Sequence, residues 1–191
     1  MHFLFSHKWL AASLIVFILL VLFALWQVLY VTLHYTASVP APDIPRGTER
    51  LGSGPALSFV VMGDSTSIGQ GSDYAHSIAR MSAEYLAHDH SVSLTNVGVS
   101  GARVADVLHG QLAKAVALRP DVVLLAIGAN DVTHLTSLGS VRTNITAIIS
   151  QLQAADPRIH IILTGSPAMG TVPRFAPPTQ WLAAWRGPVH Q

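Results

Sequence analysis

The strongest constraint on the fold is an alternation between short apolar runs and amphipathic helical stripes after residue 56. Four apolar runs have the length of strands, at 57–62, 92–99, 121–128 and 158–165. Apolar side chains at helical spacing fill the three intervals between them, over 73–88, 103–118 and 141–153. Strands that are apolar throughout and separated by helices are typical of a parallel sheet covered on both faces. The sequence therefore predicts an α/β domain with about four parallel strands.

A long uncharged segment precedes this domain, over residues 9–33. As a helix it would measure about 37 Å, which exceeds the ~30 Å hydrocarbon core of a bilayer. A cleaved signal peptide is the alternative, but its apolar region is only about 7–15 residues long. We therefore expect a single retained transmembrane helix over 9–33. Lys8 flanks one end and no Lys or Arg precedes Arg46 on the other, which favours an inside amino terminus and an extracytoplasmic domain.

The chain divides accordingly into a flank at 1–8, the helix at 9–33, a linker at 34–55 rich in Pro, Gly and Ser, and a globular domain at 56–191.

The composition excludes several classes of function. Eleven basic and ten acidic residues, without a charge run, argue against nucleic-acid binding. The absence of cysteine excludes disulfides, thiolate metal sites and a Cys nucleophile. His88 and His90 have no third ligand at metal spacing, so neither a metal nor a cofactor is predicted.

Small and polar residues follow all four predicted strands, in "GDSTS", "GVSGAR", "GANDV" and "GSPAMG". In open parallel sheets, ligands bind outside the carboxyl ends of the strands, near the point where the strand order reverses. We therefore expect the chemistry of this protein to lie on these turns.

Three residues on the first three turns match what acyl transfer needs. Ser65 is a candidate nucleophile, and a helix starting there would offer free N–H groups to an oxyanion. Gly101 has no Cβ, so a ligand can approach its N–H closely, and Asn130 offers a neutral amide donor. Each also has an ordinary alternative: a tight turn at Ser65 or Gly101, and a helix cap at Asn130 or Asp131.

These residues resemble the motifs of the GDSL/SGNH hydrolases. "GDST" (63–66) is similar to the first block, with Thr66 in place of the usual leucine. "NVGVSGARVADV" (96–107) is similar to the second block, and "GAND" (128–131) to the third. The segment 162–178 is similar to the one that follows the fourth strand in many bacterial members. The resemblance covers residues from about 57 to 186.

The resemblance implies a flavodoxin-like three-layer α/β/α fold. It also implies hydrolysis of a small ester, thioester or lipid substrate through an acyl-serine intermediate. Ser65 would be the nucleophile and one oxyanion N–H donor, Gly101 the second N–H donor, and Asn130 the side-chain donor. The other residues of these blocks, which would support the site, are Gly63, Asp64, Gly128 and Asp131.

The D-x-x-H block that supplies the catalytic His and Asp of this family has no counterpart here. No Asp follows Asp156, and His190 is the one histidine after His160. His134 suits an exposed or substrate-facing position, His160 a packed strand position, and His76 lies far along the first helix. We therefore expect an incomplete domain without its last strand and final helix, as in a fragment, a frameshifted product or a short relative.

Three functions remain open at this point. The first is a membrane-anchored serine hydrolase, and the second is a catalytically inactive module that binds acyl or acetylated glycan ligands. The third, a nucleotide-binding doubly wound domain, would need a G-x-G-x-x-G loop, and "GDSTSIGQGS" does not have that pattern.

Overall fold

The computed structural model describes residues 2–35, 43–45, 47–166 and 184–185. One long helix is followed by strands and helices in alternation. The elements are α1 (His2–Tyr35), β1 (Thr48–Leu51), β2 (Ala56–Gly63), α2 (Ile78–Leu86), β3 (Ser91–Asn96), α3 (Val104–Asp106), α4 (Leu112–Ala117), β4 (Val122–Ala126), α5 (Ala129–Thr133), α6 (Leu138–Ala155) and β5 (His160–Thr164). A 3₁₀ turn (Tyr74–His76) precedes α2, and a π-helical segment (Val107–Gln111) joins α3 to α4.

The five strands form one sheet in the order β1-β3-β2-β4-β5. Strands β3, β2, β4 and β5 are parallel to one another, while β1 runs antiparallel to β3. The chain leaves β2 towards one side to form β3 and returns to its other side to form β4. The strand order therefore reverses beside β2, which is where doubly wound folds bind their ligands.

The side chains of β2 alternate between two apolar layers, and this alternation creates the three-layer architecture. Phe59 and Val61 face α2, where Ala79 and Ala83 are fully buried. Val60 and Met62 face the opposite layer of helices, which contributes Val104, Val107, Leu112, Ile148 and Leu152. The expected α/β fold, with helices on both faces of a largely parallel sheet, is confirmed.

Strand β1 lies within the segment predicted as a linker, and the sheet is therefore mixed and five-stranded instead of parallel and four-stranded. Its sequence, Thr-Glu-Arg-Leu, is too short and too polar to show a strand period. Long-range contacts hold it: Thr48 pairs with Thr95 of β3, and Glu49 accepts hydrogen bonds from Tyr74 and Arg80. The local sequence pattern of this segment is typical of a loop, and it forms a strand because it pairs with β3.

Helix α1 is longer than the predicted 9–33 and spans His2–Tyr35. Its portion Lys8–Tyr30 has 23 residues with a mean hydropathy of 2.7, and an 18-residue stretch of this portion has no residue buried inside the protein. This helix is therefore long and apolar enough to cross a bilayer.

Strand β5 pairs with β4 along one edge, and within the described residues no strand pairs with its other edge. His160 is exposed on β5, in contrast to the packed position expected for it, because the side chains of this border strand are only partly covered. The expectations for His190 and for the part of 162–178 beyond Ser166 lie outside the described residues.

Candidate active site

The structure brings the three predicted site residues to one edge of the sheet. Ser65 follows β2, Gly101 lies in the loop after β3, and Asn130 lies in the short helix α5 after β4. The carboxyl ends of neighbouring parallel strands share one edge, so these three turns are neighbours. Ser65 and Asn130 are half-buried, whereas Gly101 is exposed.

No helix begins at Ser65, so the helix end considered as a source of free N–H groups is not formed there, and α2 lies within the predicted range 73–88. The chain forms consecutive turns there, in which Gln70 N–H donates to the Ser65 carbonyl over 2.9 Å. The Asp64 carboxylate accepts the Thr66 N–H over 2.8 Å, which closes a local Asx turn. Gly69 and Gly71 have φ of +74° and +96°, a conformation that a right-handed helix does not allow. Helix α2 consequently begins only at Ile78.

The backbone of Gly63 is held from both sides of β2. Its N–H donates to Oε1 of Gln111 and its carbonyl accepts from Nε2 of Gln111, both over 2.8 Å. The Val99 N–H also donates to this carbonyl, over 3.1 Å, and on the β4 side Asp64 N–H donates to Ala126 O over 3.0 Å. The start of the Ser65 turn is therefore rigidly connected to the sheet.

Asp64 and Asp131 place two buried carboxyl groups beneath the site. Burial is the main cause that raises the pKa of Asp64, and the charge of Asp131 raises this pKa further. Hydrogen bonds from Thr66 and Gly128 act in the opposite direction. Asp131 Oδ2 accepts the Val104 N–H over 3.0 Å and so joins α5 to the start of α3.

Side-chain amides connect the three loops to one another. Asn130 Nδ2 donates to the Ala102 carbonyl over 3.0 Å, which leaves the second hydrogen of this amide for another acceptor. Asn96 Nδ2 donates to the Ser67 carbonyl over 2.7 Å. These bonds hold the loops after β2, β3 and β4 as one unit.

The sequence reasoning missed Gln111 as a residue of this unit. Gln111 is 2% exposed and lies among the apolar residues that face the sheet. The available signal was a polar residue next to Leu112 in an otherwise apolar helical stripe, because a buried amide needs hydrogen-bond partners.

Within the described residues, the Ser65 hydroxyl makes no hydrogen bond to a histidine or to any other side chain. His134 is exposed at the end of α5, and its Nδ1 lies 2.8 Å from the Asn130 carbonyl. His76 is exposed and faces Asp73 at 3.8 Å. Among the described residues, no group of three or more His, Asp or Glu side chains is suited to a metal ion.

Comparison with known proteins agrees with this architecture. The chain is similar to a G-D-S-L family protein from Desulfitobacterium hafniense DCB-2, with 16% identity, a TM-score of 0.53, and coverage of 70% of this chain and 69% of that chain. It is similar to TesA, with 20% identity, a TM-score of 0.52, and coverage of 68% and 69%. It is also similar to AlinE4, an SGNH-hydrolase family esterase, with 24% identity, a TM-score of 0.52, and 72% of each chain covered.

These structural similarities concern the fold, and no curated protein sequence matches significantly. The model of the GDSL-like Lipase/Acylhydrolase family matches residues 61–191, the larger part of the chain. The matched region contains the turns that carry Ser65, Gly101 and Asn130. The chain belongs to the GDSL-like lipase/acylhydrolase family.

Proposed function

We propose that this protein hydrolyses carboxylic esters or thioesters through an acyl-serine intermediate on Ser65. The observation that carries the proposal is the meeting of the Ser65, Gly101 and Asn130 turns at the switch point of the sheet, where hydrogen bonds join them. Serine, a backbone N–H and a neutral amide are the groups that acyl transfer uses for attack and for charge stabilisation.

In the first step, Ser65 Oγ attacks the carbonyl carbon of the ester. The Oγ–C bond forms, the hydroxyl proton passes to a general base, and the electrons of the C=O π bond move to the oxygen, which becomes an oxyanion. The N–H groups of Ser65 and Gly101 and the side-chain amide of Asn130 would donate to this oxygen. Within the described residues, neither of the two N–H groups donates elsewhere. We assign no side chain to the general base, since no described histidine is hydrogen-bonded to Ser65.

In the second step, the C–O or C–S bond to the leaving group breaks as the C=O bond re-forms, and the alcohol or thiol departs with the proton that the base took from Ser65. Water then attacks the acyl-serine, releases the carboxylic acid and restores the Ser65 hydroxyl. Gly63, Asp64, Gly128 and Asp131 act as supporting residues, because their hydrogen bonds and their packing define the path of the two turns. No cofactor or metal ion is needed for these steps.

We also propose that α1 anchors the enzyme in a membrane as a single span. The apolar portion Lys8–Tyr30 supports anchoring, and the distribution of Lys and Arg around it favours an inside amino terminus. The catalytic domain would then act outside the cytoplasm on a small ester or a lipid.

A serine-reactive fluorophosphonate probe tests the proposal on the full chain in detergent micelles. We expect covalent labelling of the wild type and hydrolysis of short aryl esters, with both lost in Ser65→Ala. Ser150→Ala is the matched control, because Ser150 is exposed on α6, away from the strand ends. Labelling that survives in Ser65→Ala would contradict the assignment. Binding of a short ester without any labelling of the wild type would identify an inactive binding module instead.

A further inference from the structure

The last residue of β2 extends beyond the strand that pairs with it. The β2–β3 ladder ends at the pair Val61 and Asn96, whereas β2 continues to Gly63. On this side the Gly63 carbonyl accepts the Val99 N–H over 3.1 Å, but the Gly63 N–H would lack a main-chain partner, and an unpaired buried backbone group is costly. The primary amide of Gln111 supplies the missing acceptor, because its oxygen accepts the Gly63 N–H, and its nitrogen gives the carbonyl a second donor.

The π-helical segment carries Gln111 into this position. The Leu112 N–H bonds to the Val107 carbonyl five residues earlier, so this turn holds one residue more than an α-helical turn. Gln111 stands at the end of the segment with φ of −108°, displaced from helical values. The side chain is almost fully buried, and both of its polar atoms are paired with Gly63. Segments of this kind occur frequently at functional sites.

We propose that Gln111 is a positioning residue for the nucleophile. It fixes the main chain of Gly63, two residues before Ser65, while Ala126 of β4 holds the Asp64 N–H from the opposite side. We call the two hydrogen bonds between Gln111 and Gly63 the clamp. The clamp sets the direction in which the chain leaves the sheet, and therefore the position of the Ser65 hydroxyl and N–H. This role rests on the proposed function, since it requires Ser65 to react.

The chemistry of the clamp predicts which substitutions retain it. The site needs one donor and one acceptor at the same reach, and a neutral glutamic acid offers both through its O–H and C=O groups. An ionised glutamate only accepts, so it would face the Gly63 carbonyl without a hydrogen to donate. Burial disfavours the charged form and raises the pKa of such a carboxyl. Gln111→Glu should therefore work at low pH and fail as the carboxyl ionises.

The test measures the rate of fluorophosphonate labelling of the full chain in detergent micelles between about pH 5 and pH 8. Each variant is compared with the wild type at the same pH, and the maximal labelling rate is separated from the half-saturating probe concentration. The variants are Gln111→Glu, Gln111→Leu and, as matched control, Gln151→Glu on the exposed face of α6.

We expect Gln111→Leu to lower the maximal labelling rate roughly tenfold to a hundredfold at every pH, as displacements of a reacting group do. Gln111→Glu should approach the wild type at the acidic end and fall to the level of Gln111→Leu at the alkaline end. The half-saturating concentration should not change, and Gln151→Glu should follow the wild type throughout.

Thermal unfolding of each variant is recorded at each pH, so that rates are compared between folded proteins. A ratio of Gln111→Glu to wild type that does not vary with pH overturns the inference. Failure of both Gln111 variants to fold at every pH also overturns it, since the amide would then serve the fold as a whole. Failure of the wild type to label would contradict the proposed function itself, because Ser65 would then not react in any variant.

Discussion

At the scale of single residues, Gly63 shows how closely the backbone is packed beside the candidate nucleophile. Its φ of +139° lies in a region that only glycine adopts without strain. A Cβ on Gly63 would lie 1.8 Å from the Ala126 carbonyl oxygen. Glycine is therefore required at this position for conformation and for space.

We predict that Gly63→Ala lowers the free energy of unfolding by about 3 kcal/mol or more, because it combines backbone strain with a backbone clash. Denaturant unfolding of the full chain in detergent measures the change. Gly139→Ala is the matched control: Gly139 lies in α6 with no atom within 4 Å of an added Cβ. This control should gain up to about 1 kcal/mol from helix propensity. Equal stability of the two variants would contradict the assigned constraint.

The sequence predicted correctly where the candidate site residues lie, on turns after consecutive strands, while their roles stay predictions. Ser65, Gly101 and Asn130 were identified because each strand shows an apolar run that ends at a small residue. Gln111 was missed because its partner, Gly63, lies 48 positions away in the chain. No local pattern indicates which backbone group a buried amide will reach.

Among the elements, β1 is bonded by side chains of the 3₁₀ turn before α2 and of α2 itself. Glu49 accepts hydrogen bonds from the Tyr74 hydroxyl, over 2.8 Å, and from the Arg80 guanidinium. The Glu49 and Arg80 side chains are each 24% exposed, so solvent screens this pair less than an open surface pair. Burial and the Glu49 acceptor raise the pKa of Tyr74. The edge strand therefore depends on this cluster as well as on its ladder.

A double-mutant cycle with Glu49→Ala and Arg80→Ala should give a coupling energy of about 1 kcal/mol, as for partly buried side chains in direct contact. Denaturant unfolding of the four proteins measures it. The pair of Asp156 and Arg158 is the control, because Arg158 is 90% exposed and water screens the interaction. We expect no measurable coupling there. Additive effects of Glu49→Ala and Arg80→Ala would show that β1 does not depend on this contact.

Across the molecule as a whole, the helix α1 and the α/β domain differ in where they place their apolar side chains. The central portion of α1 exposes its apolar side chains, among them Trp9, Phe17 and Leu25. The domain from β1 to β5 buries its apolar residues in two layers around the sheet. Exposed apolar surface of the first kind is unfavourable in water and favourable in a bilayer.

The proposed orientation predicts the accessibility of introduced cysteines, and the chain has no cysteine of its own. A Ser150→Cys variant should react with a membrane-impermeant maleimide on intact cells, because the domain would lie outside the cytoplasm. A Ser6→Cys variant, which lies before the apolar portion Lys8–Tyr30, should react only after lysis. The reverse pattern would show that the domain faces the cytoplasm.

Local patterns along the chain were enough to predict β2 to β5 with the helices between them, the apolar N-terminal helix and the position of the polar turns, because these depend on side-chain periods between near neighbours. Packing between distant segments was needed for β1 to join the sheet and for Gln111 to meet Gly63. It also brought Asn130 to Ala102, 28 positions apart. Such contacts follow from the strand order, and strand order is a property of the packed sheet.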